Sequence, residues 1–162
     1  MRISLHRTLV PLALLAVAAI LIAGCGGDDG TTTTEAKTTA AAGGGAGATL
    51  TIKMGDFYFA PKNATAQAGK TTIEAPNEGS VEHELVVFKT NMNPANLPTE
   101  ANGEVDEKKL EQEGAEELGE IEEVEPGETG SKEFNLTPGK YVMICNLPGH
   151  YAQGMYGSLT VE

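Results

Sequence analysis

Basic residues are scarce in this sequence, and so are histidine and cysteine. Eleven Lys and Arg stand against 23 Asp and Glu, a formal net charge of −12. Nucleic acid is therefore not an expected partner, because phosphate binding needs a basic face. No apolar run is long enough to cross a bilayer: residues 9–22 make 14 in a row, broken only by Pro11, against about 20 for a spanning helix. Two cysteines and three histidines leave few residues for metal or thiol chemistry.

What is present begins with a leader. Arg2 and Arg7 precede the apolar run, and its length suits the core of a secretory signal in residues 1–24. Ile22-Ala23-Gly24-Cys25 resembles a bacterial lipobox, which implies cleavage before Cys25 and its lipidation. The alternative is a signal peptide cut elsewhere, with Cys25 incidental. The expected location is outside the cytoplasm, lipid-anchored on the outer side of the cell membrane. Residues 25–48 are mostly Gly, Thr and Ala without hydrophobic period, so they read as a tether of about 25–30 Å root-mean-square span. Both arginines fall in the leader, so the mature chain would carry nine lysines against 23 acidic residues. That acidity suits a cationic partner, or serves solubility alone.

Residues 49–162 form one small domain in which strand signals dominate. Residues 49–54 alternate polar and apolar, 57–59 are an aromatic run closed by Pro61, and 64–68 and 71–75 flank Gly69-Lys70. Residues 84–89 are apolar and β-branched; 120–123, 131–136, 141–145 and 157–161 follow, separated by Gly/Pro turns. Short strands between such turns predict an all-β sandwich or barrel. Residues 100–128 stand apart, with 13 acidic residues and two lysines. They read as an acidic insertion, with a thin apolar stripe (Val105, Leu110, Ala115, Leu118) predicting a marginal surface helix over 105–118.

Between the last two strands lies Cys145-Asn146-Leu147-Pro148-Gly149-His150-Tyr151-Ala152-Gln153-Gly154-Met155. A thiol, an imidazole and a thioether recur at C-x4-H-x4-M, and His83 stands at the entry to an earlier strand. Soft sulfur ligands with imidazoles select copper, and two His, one Cys and a distant Met are the blue-copper donor set. Singly, each residue has an ordinary reading: Cys145 a buried thiol or a disulfide partner of Cys25, His150 a surface imidazole, His83 a strand-end histidine, Met155 core. Together they use both histidines outside the leader and the one cysteine besides Cys25.

Residues 141–161, with Asn77-x-Gly79 and His83 upstream, resemble the cupredoxins; the specific elements are Pro148-Gly149-His150 and Met155-x-Gly157-x-Leu159-x-Val161. The two four-residue gaps are most similar to the rusticyanin and auracyanin pattern. The resemblance implies a Greek-key cupredoxin fold and one type 1 copper. It also implies His83 and His150 as ring-nitrogen ligands, Cys145 as thiolate and Met155 as weak axial ligand. Many cupredoxins place Asn after the first histidine; Glu84 stands here, which leaves Asn77 and Asn146 as candidates for supporting the sulfur.

A site closed by four protein ligands has no place for substrate, which argues against enzymatic hydrolysis or oxygen chemistry. A trinuclear oxidase cluster would need many more histidines. The expectation is one-electron transfer between redox proteins, such as a cytochrome or an oxidase. Leu147, Pro148 and Tyr151 are the candidate docking patch around His150. Copper capture or delivery without electron transfer uses the same ligands and is the alternative.

Overall fold

The computed structural model describes residues 47–162. The expected signal peptide, Cys25 and nearly all of the expected tether lie outside the described residues. Ten strands are found among the described residues: β1 (Ala48–Thr51), β2 (Lys53–Gly55), β3 (Tyr58–Ala60), β4 (Asn63–Ala66), β5 (Gly69–Pro76), β6 (His83–Lys89), β7 (Glu116–Val124), β8 (Thr129–Leu136), β9 (Gly139–Ile144) and β10 (Tyr156–Val161). One short helix, α1 (Glu107–Gln112), precedes β7.

They form a three-stranded sheet in the order β1-β5-β8, a five-stranded sheet β4-β10-β9-β6-β7, and the hairpin β2-β3. Strands distant in sequence lie side by side, β6 beside β9 and β5 beside β8, as Greek-key connections require. The sheets pack as a sandwich and do not close into a barrel. Alternation explains the packing. Leu50, Ile73, Phe134 and Leu136 of one sheet meet Leu85, Val87, Tyr141, Met143 and Leu159 of the other in a single core.

Residues 49–54 are not one continuous strand. Alternation persists, with Leu50, Ile52 and Met54 all buried, but the partner changes at Ile52. Before it β1 runs parallel to β5, and after it β2 pairs antiparallel with β3.

The acidic segment differs from expectation. Helix α1 is six residues, capped by Asp106, whose Oδ1 accepts from the Lys109 N–H at 3.0 Å. Residues 116–118, expected to be helical, belong to β7, because pairing with β6 (Phe88↔Glu117) outweighs a weak helical stripe. Nor is the segment only a solvated appendage. Leu97, Val105, Leu110 and Ala115 cover Val86, Phe88, Val142 and Ile144 on the outer face of the five-stranded sheet. That cover is why four successive β6 residues, Leu85 to Phe88, are all buried.

Candidate metal centre

Strand order puts two segments together that are far apart in sequence. His83 opens β6, Cys145 directly follows β9, and β6 pairs with β9 through Val86↔Ile144. The loop from Cys145 to Met155 then returns into β10. It closes on itself: the Cys145 N–H donates to Met155 O at 3.1 Å and the Met155 N–H to His150 O at 3.2 Å. A 3-10 turn over Tyr151–Gln153 is stopped by Gly154 at φ +105°, a conformation that favours glycine.

The resulting cluster is tight. His83 Nδ1 lies 3.2 Å from His150 Nδ1, which lies 3.2 Å from Cys145 Sγ. One donor atom from each of the three residues falls within 4.8 Å of the others. His83, Cys145 and Met155 are all fully buried, while His150 is partly exposed. Burial, with His150 alongside, holds the His83 pKa below its ordinary value, and burial does the same for His150. Burial thus favours the neutral form of both rings, in which each can turn a nitrogen lone pair inward. Burial pushes the Cys145 thiol up to about 11, although the N–H groups of Glu84 and Leu147 pull the other way. Such a donor set suits a cation. Donors sharing one metal at about 2.0–2.3 Å stand about 3.5–4 Å apart in a trigonal plane, so an opening of a few tenths of an ångström would fit the ion. The soft sulfur and two imidazoles suit copper.

The surroundings answer which group supports the sulfur. The Glu84 N–H points at Cys145 Sγ from 3.5 Å, and the Glu84 carboxylate accepts from the Asn146 N–H at 2.7 Å. Burial raises that carboxyl to about 7. The Asn146 side chain faces away from the sulfur, bonding Val105 N and O and the Glu107 carboxylate. Asn77 also works at one remove: its Nδ2 donates to Val81 O and Val124 O, and its Oδ1 accepts from the Gly79 N–H, which shapes the turn leading to His83. Of the expected docking residues, Pro148 is exposed and Leu147 half-buried. Tyr151 is a correction: it is buried, because its hydroxyl donates to Pro94 O and accepts from the Leu97 N–H, turning the ring inward against Tyr156.

Two neighbours were not legible beforehand. Asp56 and Phe57 form the two-residue tip of the β2–β3 hairpin. Phe57 holds φ at +66°, unusual for an aromatic residue, and its ring stands perpendicular to the imidazoles of His150 and His83, at 5.1 and 6.3 Å. An aromatic run reads as strand; only the turn geometry aims this ring.

Comparison with known proteins agrees with the geometry. The family model described as copper binding proteins, plastocyanin/azurin family, matches residues 46–162. Auracyanin-B of Chloroflexus aurantiacus is 56% identical over 36 residues, a stretch covering 22% of this chain and 15% of that protein. Dithionite-reduced auracyanin from Roseiflexus castenholzii superposes with a TM-score of 0.53 at 24% identity, over 73% of this chain and 99% of that one. Auracyanin A of Chloroflexus aurantiacus, titled a "blue" copper protein, gives 0.50 at 25% identity, over 70% and 99%. With its two packed sheets, its buried thiol beside two imidazoles and a family model matching residues 46–162, the chain belongs to the plastocyanin/azurin family of copper-binding proteins.

Proposed function

We propose that the protein is a type 1 copper electron carrier, with His83, Cys145, His150 and Met155 holding one copper ion. The observation that carries this reading is the convergence of His83 Nδ1, His150 Nδ1 and Cys145 Sγ at one buried point. Bound copper would supply a one-electron couple. The chain's own part is to restrain its donors: β6 holds one imidazole, and the hydrogen-bonded loop holds the other three groups. Restraint of this kind keeps reorganisation small when the charge changes. It also leaves no coordination position for substrate, so the protein is read as a carrier and not an enzyme.

His150 is the partly exposed member of the set, and Phe57, Leu147 and Pro148 form its apolar surroundings. Transient redox encounters bury little area, so this small patch suffices for docking. The exposed carboxylates of Glu116, Glu117, Glu122 and Glu123 on β7 steer a basic redox partner, such as a cytochrome or an oxidase, by long-range attraction. Export and lipidation at Cys25 would set the carrier on the outer face of the cell membrane. Copper delivery is the weaker alternative, since complete burial of Cys145, His83 and Met155 opposes rapid metal exchange.

The test is to load the full chain with Cu(II) and record the visible spectrum. An intense thiolate-to-copper band is expected, and Cys145→Ser should abolish it. A colourless protein, or a band that survives that change, sinks the assignment. Neutralising the four β7 carboxylates should slow association with a basic redox partner at low salt. An unchanged rate removes the steering role.

A further inference from the structure

His83 turns Nδ1 towards His150 and buries Nε2, which has no hydrogen-bond partner among the described residues. Asp56 Oδ1 stands 3.5 Å from that nitrogen, longer than a hydrogen bond but facing it. The carboxylate is not loose. Asp56 Oδ1 accepts from the Ser80 N–H at 2.7 Å and Oδ2 from Ser80 Oγ at 2.8 Å. The gap between carboxylate and imidazole is kept open by Gly79. A Cβ there would come within 2.5 Å of Asp56 Oδ1 and 2.9 Å of His83 Nε2. Gly79 is not among the glycines at positive φ, so close approach, not backbone conformation, is what requires glycine here.

We infer that Asp56 is a positioning residue for His83: its carboxylate accepts the Nε2–H, holds the ring in that tautomer, and so presents an unprotonated Nδ1 to the site. A ligand imidazole whose far N–H goes to a carboxylate is fixed in orientation and becomes a stronger donor. An anion behind the ring also favours the more highly charged form of a bound metal. The effect on copper rests on the proposed function; the tautomer does not.

The test therefore has two arms. In the metal-free full chain, the ring ¹⁵N shifts of His83 should report Nε2–H. Asp56→Asn retains the polar contacts to Ser80 but removes the charge, and Gly79→Ala wedges the pair apart. In the copper-loaded chain, both changes should weaken the Cu(II) form selectively, by about tenfold. That raises the midpoint potential by about 59 mV for a one-electron couple. Glu78→Gln, which removes a carboxylate paired with Lys53 on the same turn, should leave the potential nearly unmoved. An Nδ1–H tautomer in the wild-type chain overturns the inference, as does an Asp56→Asn potential no higher than that of Glu78→Gln. If wild type shows no thiolate band, the copper reading has failed and the tautomer arm decides alone.

Discussion

The backbone N–H of Glu84 points at Cys145 Sγ across 3.5 Å, so β6 supports the thiol from the position directly after its own imidazole. The Glu84 carboxylate then reaches past the sulfur to the Asn146 N–H at 2.7 Å. One residue thus grips the cysteine loop twice. Where many cupredoxins carry Asn, this chain makes the loop contact with a longer, acidic side chain.

Removing that acceptor should destabilise the loop. Glu84→Ala leaves the Asn146 N–H unpaired, at a cost of about 1–3 kcal/mol. Glu84→Gln keeps an acceptor and should cost less. Urea denaturation of the metal-free protein checks this, and equal losses in the two variants would count against the contact.

Phe57 combines a left-handed backbone with a ring set edge-on to both imidazoles. Phe57→Gly relieves a backbone conformation costing about 1–3 kcal/mol, so the fold should lose less than the 3–5 kcal/mol usual for truncating a core Phe. Cover over His150 is lost all the same. Copper transfer to an external chelator should quicken by about tenfold, following the usual effect of disturbing groups behind metal ligands. An unchanged transfer rate would show that the ring is not the cover.

Tyr151 is an internal strut. Tyr151→Phe deletes two hydrogen bonds and leaves the buried Leu97 N–H without its acceptor. We expect a loss of about 1–3 kcal/mol in stability, with the visible band and partner association rates unaltered. Slower association at unchanged stability would restore Tyr151 to the docking surface.

Glu107 gives a pH dependence of defined sign. Burial first, then Glu117, Glu120 and Glu111, raise its carboxyl against the Asn146 amide that lowers it. The folded chain binds this proton more tightly than the unfolded one. Its contribution to stability is complete below the ordinary carboxylate range and is lost as pH rises through the raised value. Glu107→Gln imitates the protonated form and can still accept from Asn146. Its unfolding free energy should exceed that of wild type at pH 7, by no more than about 1 kcal/mol for a partly solvated group. The difference should close near pH 4, and one that persists there would refute the linkage.

Much of the fold could be read from alternation and turn chemistry. Strands β5, β6, β8, β9 and β10 fall within a few residues of the expected segments, because each carries an apolar face bounded by Gly or Pro. The misses share one cause. Ile52 donates to Glu74 O and remains buried, but the change of partner there is a long-range event with no local signature. Glu116 to Leu118 have helical spacing and still join β6, since ladder pairing outweighs a stripe worth a few tenths of a kcal/mol per residue. Tyr151 looked like a surface aromatic because nothing local announces that 94–97 folds over it.

The donor chemistry is already complete in the order of residues: a thiol, an imidazole and a thioether within one eleven-residue loop, and a second imidazole at a strand start. Spacing that short is a covalent constraint and survives any packing. What stands behind those donors depends on how the strands pair. Glu84 faces the sulfur because β6 pairs with β9, Asp56 and Phe57 face the imidazoles because a two-residue turn ends there, and Gly79 leaves the room between. The contacts of Glu84, Asp56 and Phe57 with these donors join residues 26 to 93 positions apart, where relative position is set by sheet pairing and burial and leaves no mark in local periodicity.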